Sequence, residues 1–301
     1  MKLHLLRIFT AVAEQMSFSR AAESLYISQP AVSKAVRELE SQLGQPLFER
    51  GAGKLRLTEA GAMLAERGRA ILAIEHNAEE DLQALRGLRH GVLRVGASTT
   101  IAAYLLPPVI AAFLRNYPGI DLRMTILNTL SIVKLLLDYH LDIALVEGPV
   151  AHPSIRSEAW QLDELVVIAA PDHPLVARAG GEGIPISLLA DEIFLVREPG
   201  SGTRQVGEEA LLQYGIRLER TVELGSTEAI KQAVAAGLGL AIVSKATIPD
   251  QLALGKLTTL RVQGLTIRRT LTQLKRVGRT LSPAARAFDR LLTQAATDRE
   301  G

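Results

Sequence analysis

A chain of 301 residues, 48% of them hydrophobic, is long enough for two or three domains with substantial cores. It contains no cysteine, which excludes a disulfide framework, a cysteine zinc site and a thiol nucleophile. The net charge is +2 and no run of 18 apolar residues occurs, so neither a secretory leader nor a membrane span is expected, and the chain reads as cytoplasmic.

Residues 3–14 (LHLLRIFTAVAE) predict a first helix with Leu5, Ile8, Phe9 and Val12 on one side. Ser17 or Ser19 caps a second, in which Ala21 and Ala22 are small enough for a close crossing. Leu25 and Ile27 bracket a tight turn, and a third helix opens at Ser28. Pro30 suits its first turn, where a missing N–H costs nothing. Gln29, Ser33 and Arg37 recur every four residues with Pro30 and Lys34 beside them, so these five share one face. Val32, Ala35, Val36 and Leu39 form the packing face opposite. This is the pattern of a helix-turn-helix. A front of Gln, Ser, Lys and Arg suits the major groove, where Gln pairs with adenine and Arg or Lys with guanine or phosphate. The alternative is an ordinary amphipathic helix with a solvated polar face.

After Gly44, Leu47-Phe48 and Leu55 to Leu57 flank a Gly-Ala-Gly tip and predict a β-hairpin. Arg50, Lys54 and Arg56 lie on or near it, as on a wing that touches backbone phosphates. Residues 1–58 hold eight Lys/Arg against five Asp/Glu, an excess of +3 that leaves −1 for the remainder.

Residues 3–61 resemble the N-terminal domain of the LysR-type transcriptional regulators. The likeness is carried by Leu6, Phe9 and Val12, by Ser17-Phe18 and Ala21-Ala22-Glu23, and by Ser28-Gln29-Pro30-Ala31-Val32-Ser33. It continues through Leu39-Glu40, Leu43-Gly44, Leu47-Phe48, Arg50 and Leu57-Thr58-Glu59-Ala60-Gly61. The family often has a second wing arginine where Gly53 stands here, and Lys54 follows it. The resemblance implies a winged helix-turn-helix over 1–58 with Ser28, Gln29, Pro30, Ser33, Lys34, Arg37, Arg50, Lys54 and Arg56 facing double-stranded DNA. It further implies a homotetramer, a dimer of dimers, on an interrupted inverted repeat, and admits RNA polymerase as another partner.

Thr58 caps a long proline-free helix running to about Leu88. Ile71, Ile74, Ala78, Leu85 and Leu88 approach a heptad seam, with Asp81 between and Leu82 beside it. Such a narrow stripe packs on its own domain or pairs with a second copy. The resemblance implies a dimerising linker over 59–90, which ends in a hinge where Gly87 and Gly91 flank Arg89-His90.

From Gly91 strands alternate with helices, the sign of a parallel sheet with crossover connections. Strands are predicted at 92–96, 121–127, 143–147, 165–169, 193–196, 220–224, 240–243 and 271–274, and helices near 101–116, 131–139, 203–214, 226–236 and 283–296. The resemblance implies an effector domain over 91–301, an α/β fold of two subdomains like the type 2 periplasmic binding proteins. Subdomain I takes 91–162 and 265–301, and subdomain II takes 163–264. The whole chain is then a multidomain α+β and α/β protein.

In open α/β folds ligands bind beyond the carboxyl ends of the strands. Here those ends carry Ser98-Thr99-Thr100, Asn128-Thr129, Glu147-Gly148-Pro149, the loop Arg197 to Arg204, and Gly225-Ser226-Thr227. Helix N-termini in such turns attract anions, although any single Ser or Thr is explained by capping its own helix. The expected effector contacts are Ser98, Thr99, Thr100, Thr129, Glu147, Glu198, Ser201, Gly202, Thr203, Ser226 and Thr227. Glu147 and Glu198 are awkward for an anion, so one of them is expected to hold a loop or pair with Arg197 or Arg204. The loop from Arg197 and the segment Glu223 to Ser244 are similar to the LysR branch that responds to small anions of sulfur and carbon metabolism. With Glu147-Gly148-Pro149 they look most like its sulfite- or sulfate-sensing members. The expected effector is a small oxyanion or short carboxylate; the alternative is a larger metabolite of carbon metabolism.

Nothing points to catalysis, a metal or a cofactor. Gly200 to Thr203 lacks the Gly-Lys-Ser/Thr ending of a phosphate loop. Gly237-Leu238-Gly239 lacks the third glycine of a dinucleotide fingerprint, and the six histidines have no ligand spacing. An enzyme or a cytoplasmic solute-binding protein remain only as remote alternatives.

Overall fold

The structure, a computed structural model, describes residues 1–49, 55–84, 90–148 and 150–297. Arg50, Gly53, Lys54, Leu85, Gly87, Leu88 and Pro149 lie outside the described residues, as does the side chain of Asp81. The chain divides into two units, Met1–Leu82 and Gln83–Gly301.

In the first unit α1 (Leu3–Gln15), α2 (Phe18–Ser24) and α3 (Gln29–Leu43) close around Leu6, Phe9, Val12, Ala21, Val32, Val36 and Leu39. Ser17 is the cap of α2 and Ser28 that of α3, their hydroxyls accepting the N–H groups of Arg20 and Ala31. A short antiparallel pair, β1 (Phe48–Glu49) with β2 (Arg56–Leu57), forms the hairpin. It is fixed to the helices from both sides. The Phe48 ring lies 5.5 Å from those of Phe9 and Phe18, and the Glu40 carboxylate accepts the Leu47 N–H at 2.8 Å. Thr58 accepts the Gly61 N–H and donates to the Pro46 carbonyl, starting α4 (Glu59–Ala84). A Cβ on Gly61 would lie 2.0 Å from the Leu47 carbonyl oxygen, so only glycine lets α4 pass the hairpin so closely.

The second unit is a two-subdomain α/β fold. Its elements are β3 (Gly91–Ala97), a π-helical turn (Ile101–Leu105), α5 (Pro107–Asn116), β4 (Ile120–Ile126), α6 (Thr129–Leu137), β5 (Ile143–Glu147) and β6 (Ile155–Ala169). There follow α7 (Pro174–Arg178), β7 (Phe194–Val196), α8 (Gly202–Leu212), β8 (Thr221–Glu223), α9 (Thr227–Ala235) and β9 (Leu240–Ser244). The chain ends with α10 (Pro249–Ala253), β10 (Thr258–Thr259), β11 (Ile267–Arg276) and α11 (Pro283–Thr297). The strands run in the order β4-β3-β5-β11-β6-β9-β7-β8, with β10 beside β6. β3 is parallel to β4 and β5, and β7 to β8 and β9, as crossover connections require. The antiparallel pairs of β6 with β11 and β9 join the two lobes in one continuous sheet; Leu165 pairs with both Ile267 and Ser244, where the strands of one lobe give way to those of the other. Apolar clusters around Phe113 and Phe288, and around Ile132 and Leu136, cover the two faces of one lobe. Clusters around Phe194 and Leu211, and around Ile230 and Val234, cover the other.

Two expectations are corrected. The strand predicted at 165–169 starts at Ile155, because the earlier half, IRSEAWQLDE, carries few apolar residues and a register shift between Ala159 and Gln161 breaks its alternation. The helix predicted over 101–116 is broken at Leu106, because the ring of Pro107 and its missing N–H interrupt the ladder. No helix among the described residues is long and apolar enough to cross a membrane.

Candidate DNA-reading face and effector cleft

On α3 the side chains of Gln29, Pro30, Lys34 and Arg37 are exposed and Ser33 is half-buried, while Val32, Ala35, Val36 and Leu39 are buried. Gln29 Nε2 donates to Ser33 Oγ at 2.9 Å, which holds the glutamine amide over the outer face of the first turn. Ser28 is exposed but spends its hydroxyl on the cap. Arg56 is exposed on the hairpin, and Arg50 and Lys54 lie outside the described residues.

In the second unit the strand-end turns of the two lobes meet. Leu130 N–H donates to the Gly200 carbonyl, and Asn128 Nδ2 lies 3.4 Å from the Pro199 carbonyl, so the start of α6 is tied to the loop before α8. Arg197, 5% exposed, forms a two-pronged pair with Glu198 at 2.8 and 2.9 Å and also donates to Thr227 Oγ1 at 3.0 Å and Thr99 Oγ1 at 3.4 Å. Burial pushes the Glu198 carboxyl up, but the Arg197 guanidinium outweighs it and holds the group below the ordinary carboxylate range.

Glu147 is 5% exposed and takes a different partner set. Its Oε2 accepts the Thr203 hydroxyl at 3.0 Å and lies 3.3 Å from Arg269 Nη1. Arg269 also donates to Thr203 Oγ1 and pairs with Asp163 at 2.7 Å, and Asp163 accepts from Ser244. Three oxygens at this junction, Ser98 Oγ, Thr129 Oγ1 and Glu147 Oε1, are buried without a hydrogen-bond partner among the described residues. A buried polar atom is costly unless a water or a ligand group matches it.

The remaining expected contacts divide. Thr100 is buried at the start of the π-helical turn and Ser201 precedes α8 without a side-chain cap bond. Ser226 is the cap of α9, accepting the Ala229 N–H, so its hydroxyl serves the helix. Asn128 rather than Thr129 caps α6.

Arg269, Asp163, Tyr104 and Lys231 are site residues that the strand-end rule passes over. Tyr104 and Lys231 join the lobes: Lys231 Nζ donates to Tyr104 Oη at 2.9 Å and to the Thr247 carbonyl at 2.7 Å, and pairs with Glu228, which Tyr104 also contacts. The sequence does carry a signal for the two cations. Lys231 falls on the buried stripe Thr227–Lys231–Val234, and Arg269 on the inward alternation Ile267–Arg269–Leu271.

Residues 3–62 match the family described as "Bacterial regulatory helix-turn-helix protein, lysR family", and residues 86–297 match "LysR substrate binding domain". The chain belongs to the LysR family. It is a DNA-binding transcriptional regulator and not an enzyme. This LysR-type chain is 42% identical over 295 residues to a RuBisCO operon transcriptional regulator of Allochromatium vinosum, covering 98% of this chain and 96% of that one. It superposes on a full-length OxyR variant of Pseudomonas aeruginosa with a TM-score of 0.75 and 28% identity, covering 98% of this chain and 94% of that one. It also superposes on the regulatory domain of Synechocystis PCC6803 CcmR in complex with 2-PG, with a TM-score of 0.64 and 32% identity over 69% of this chain and 99% of that one. These relatives give no support to the expected sulfite- or sulfate-sensing branch. Hydroxyl-bearing helix starts attract anions of any size, so they do not separate a bare oxyanion from a larger anionic metabolite.

Proposed function

We propose that this LysR-type regulator senses an anionic metabolite of carbon metabolism, larger than a bare oxyanion, in the cleft between its effector lobes. Glu147 carries the reading. Its free Oε1 is acceptor-only while ionised, so a fitting ligand brings a donor of its own, a hydroxyl or a singly protonated phosphate. Sulfate has no proton to offer at neutral pH and so leaves that oxygen unmatched. A metabolite with both groups turns its donor to Glu147 and its anionic end to the starts of α6 and α8. The names of the relatives support the same direction, since one regulates a RuBisCO operon and another is seen with 2-PG.

In this reading Ser98, Thr99, Thr100, Thr129 and Thr227 supply hydroxyls to the effector, Thr203 gives its proton to Glu147 instead, and Gly202 lets the lobes meet over the ligand. The DNA contacts are those of α3 and the hairpin. A second copy pairs along α4, two such dimers bind an interrupted inverted repeat, and the effector shifts the population of dimer arrangements, which changes the DNA bend.

The test is thermal shift of the full chain with 2-PG and with sulfate at equal concentrations. With 2-PG at a hundredfold excess over its Kd, Tm should rise by about 5–10 °C, and with sulfate by far less. Glu147→Gln supplies a donor amide and should narrow that difference. Equal stabilisation of the parent chain by sulfate would overturn the reading.

A further inference from the structure

The turn between α2 and α3 holds a tyrosine that the fold itself does not use. Tyr26 is 96% exposed, more than any other large apolar side chain among the described residues, and it makes no side-chain hydrogen bond or ring contact there. Its backbone lies at φ +55°, the left-handed region that strains any residue with a Cβ. The conformation is imposed. Ile27 N–H donates to the Ala22 carbonyl and Tyr26 N–H to the Glu23 carbonyl, the two bonds of a Schellman helix end. Tyr26 occupies the position that glycine, or failing that asparagine, fills at least cost. Tyr139 adopts a similar φ of +63°, but its ring lies 4.1 Å from the Arg276 guanidinium and gains from that contact. Tyr26 has strain without compensation from inside the chain, and strained residues cluster at functional sites.

Its location says which. Two residues later Ser28 caps α3, and Gln29 follows. In a helix-turn-helix the N-terminal end of the second helix meets base edges while the first crosses the backbone, so the turn between them borders the sugar–phosphate edge of the groove. We propose that Tyr26 is a further DNA-contact residue, its phenol hydroxyl donating to a backbone phosphate beside the bases that face Gln29. The proposal rests on the reading of α3 as the recognition helix. Tyrosine is an established type of phosphate donor, and its ring has few torsions to freeze. Being neutral, it releases no counterion, unlike Lys34 or Arg37.

The test uses the full chain, a duplex that the parent chain selects from a random-sequence pool, and an unselected duplex. Tyr26→Phe should weaken binding to both by about 3- to 10-fold, with Tm and the slope of log affinity on log salt unchanged. Tyr26→Asn should keep or raise Tm, because asparagine tolerates this φ, and yet lose at least as much affinity. Gln29→Ala is the control and should lose discrimination between the duplexes. If Tyr26→Phe binds both duplexes as the parent does while Gln29→Ala loses discrimination, this proposal alone falls. If both variants bind as the parent does, the recognition-helix reading falls with it.

Discussion

At Gly202 the two lobes of the effector unit approach so closely that a Cβ there would lie 2.6 Å from the Glu147 carbonyl oxygen and 3.0 Å from Thr129 Oγ1. The first of these neighbours is backbone and cannot swing aside. Gly202→Ala should therefore wedge the start of α8 away from β5 and α6. The expected cost is about 1–3 kcal/mol of stability, together with loss of most of the 2-PG-induced rise in Tm. A variant that keeps the full rise would show that the lobes need not meet here for binding. The sequence marks this residue as an expected effector contact in a glycine-rich turn and gives no sign of its close approach to Glu147. The turns that carry Ser98, Thr100 and Thr203 were legible because hydroxyls between a strand end and a helix start have a local signature. The bond of Thr203 to Glu147, 56 residues away, and the Arg269–Glu147–Asp163 cluster have no local signature, since only the sheet order brings their strands together.

Among the elements, the π-helical turn matters because it is the part of one lobe that reaches α9 of the other through Tyr104. Burial alone would lower the Lys231 pKa, but its bonds to Glu228 and Tyr104 prevail and raise it above 10.5. Burial raises Glu228 and the same contacts prevail in lowering it below 4.5. A carboxylate with a lowered folded pKa contributes stability that is complete above its ordinary value and is lost as pH falls through the folded one. The lysine contribution is complete below its ordinary pKa and is lost as pH rises through the higher folded value. The joint is thus constant between roughly pH 5 and 10 and weakens on either side. Lys231→Met keeps the buried stem and removes the charge. It should cost roughly 1–2 kcal/mol at pH 7, and its Tm should fall less steeply than the parent's between pH 5 and 3, because Glu228 then lacks its cation. Parallel acid limbs would place the acid loss elsewhere, Glu198 with Arg197 being the next candidate. At this scale the sequence is most readable where an element has one wet and one dry side, as α3 and α9 do. It is least readable in β6, whose first half carries Glu158, Asp163 and Glu164 because its neighbours there include the polar hinge cluster.

For the whole molecule the question is what α4 offers to a second copy. Leu64, Ala65 and Leu72 turn toward the helix-turn-helix core, and Arg7 holds Glu75 at 2.8 Å, so one side of the helix is occupied. Ile71, Ile74 and Leu82 are 37, 63 and 67% exposed, and with Ala78 they follow a 3–4–4 spacing along another side. A stripe of that width is the size of a coiled-coil seam rather than of a domain core. The seam expected from the sequence runs through Ile71, Ile74, Ala78, Leu85 and Leu88, with Leu82 beside it, and Leu85 and Leu88 lie outside the described residues; the assignment of the others to the inner or outer side needed the packing of α1 on α4. If this stripe is the pairing face, a charge at its centre acts only in the oligomer. Ile74→Glu is already solvated in the single chain and should leave folding and 2-PG-induced stabilisation unaltered. Its mass by light scattering should fall to that of smaller species, and its affinity for a duplex with two half-sites should drop about a hundredfold toward that for one half-site, since the second head no longer arrives at high effective concentration. Undiminished mass with undiminished two-site affinity would mean that the heads are joined through the effector units instead, and would leave the α4 stripe to pack against its own chain.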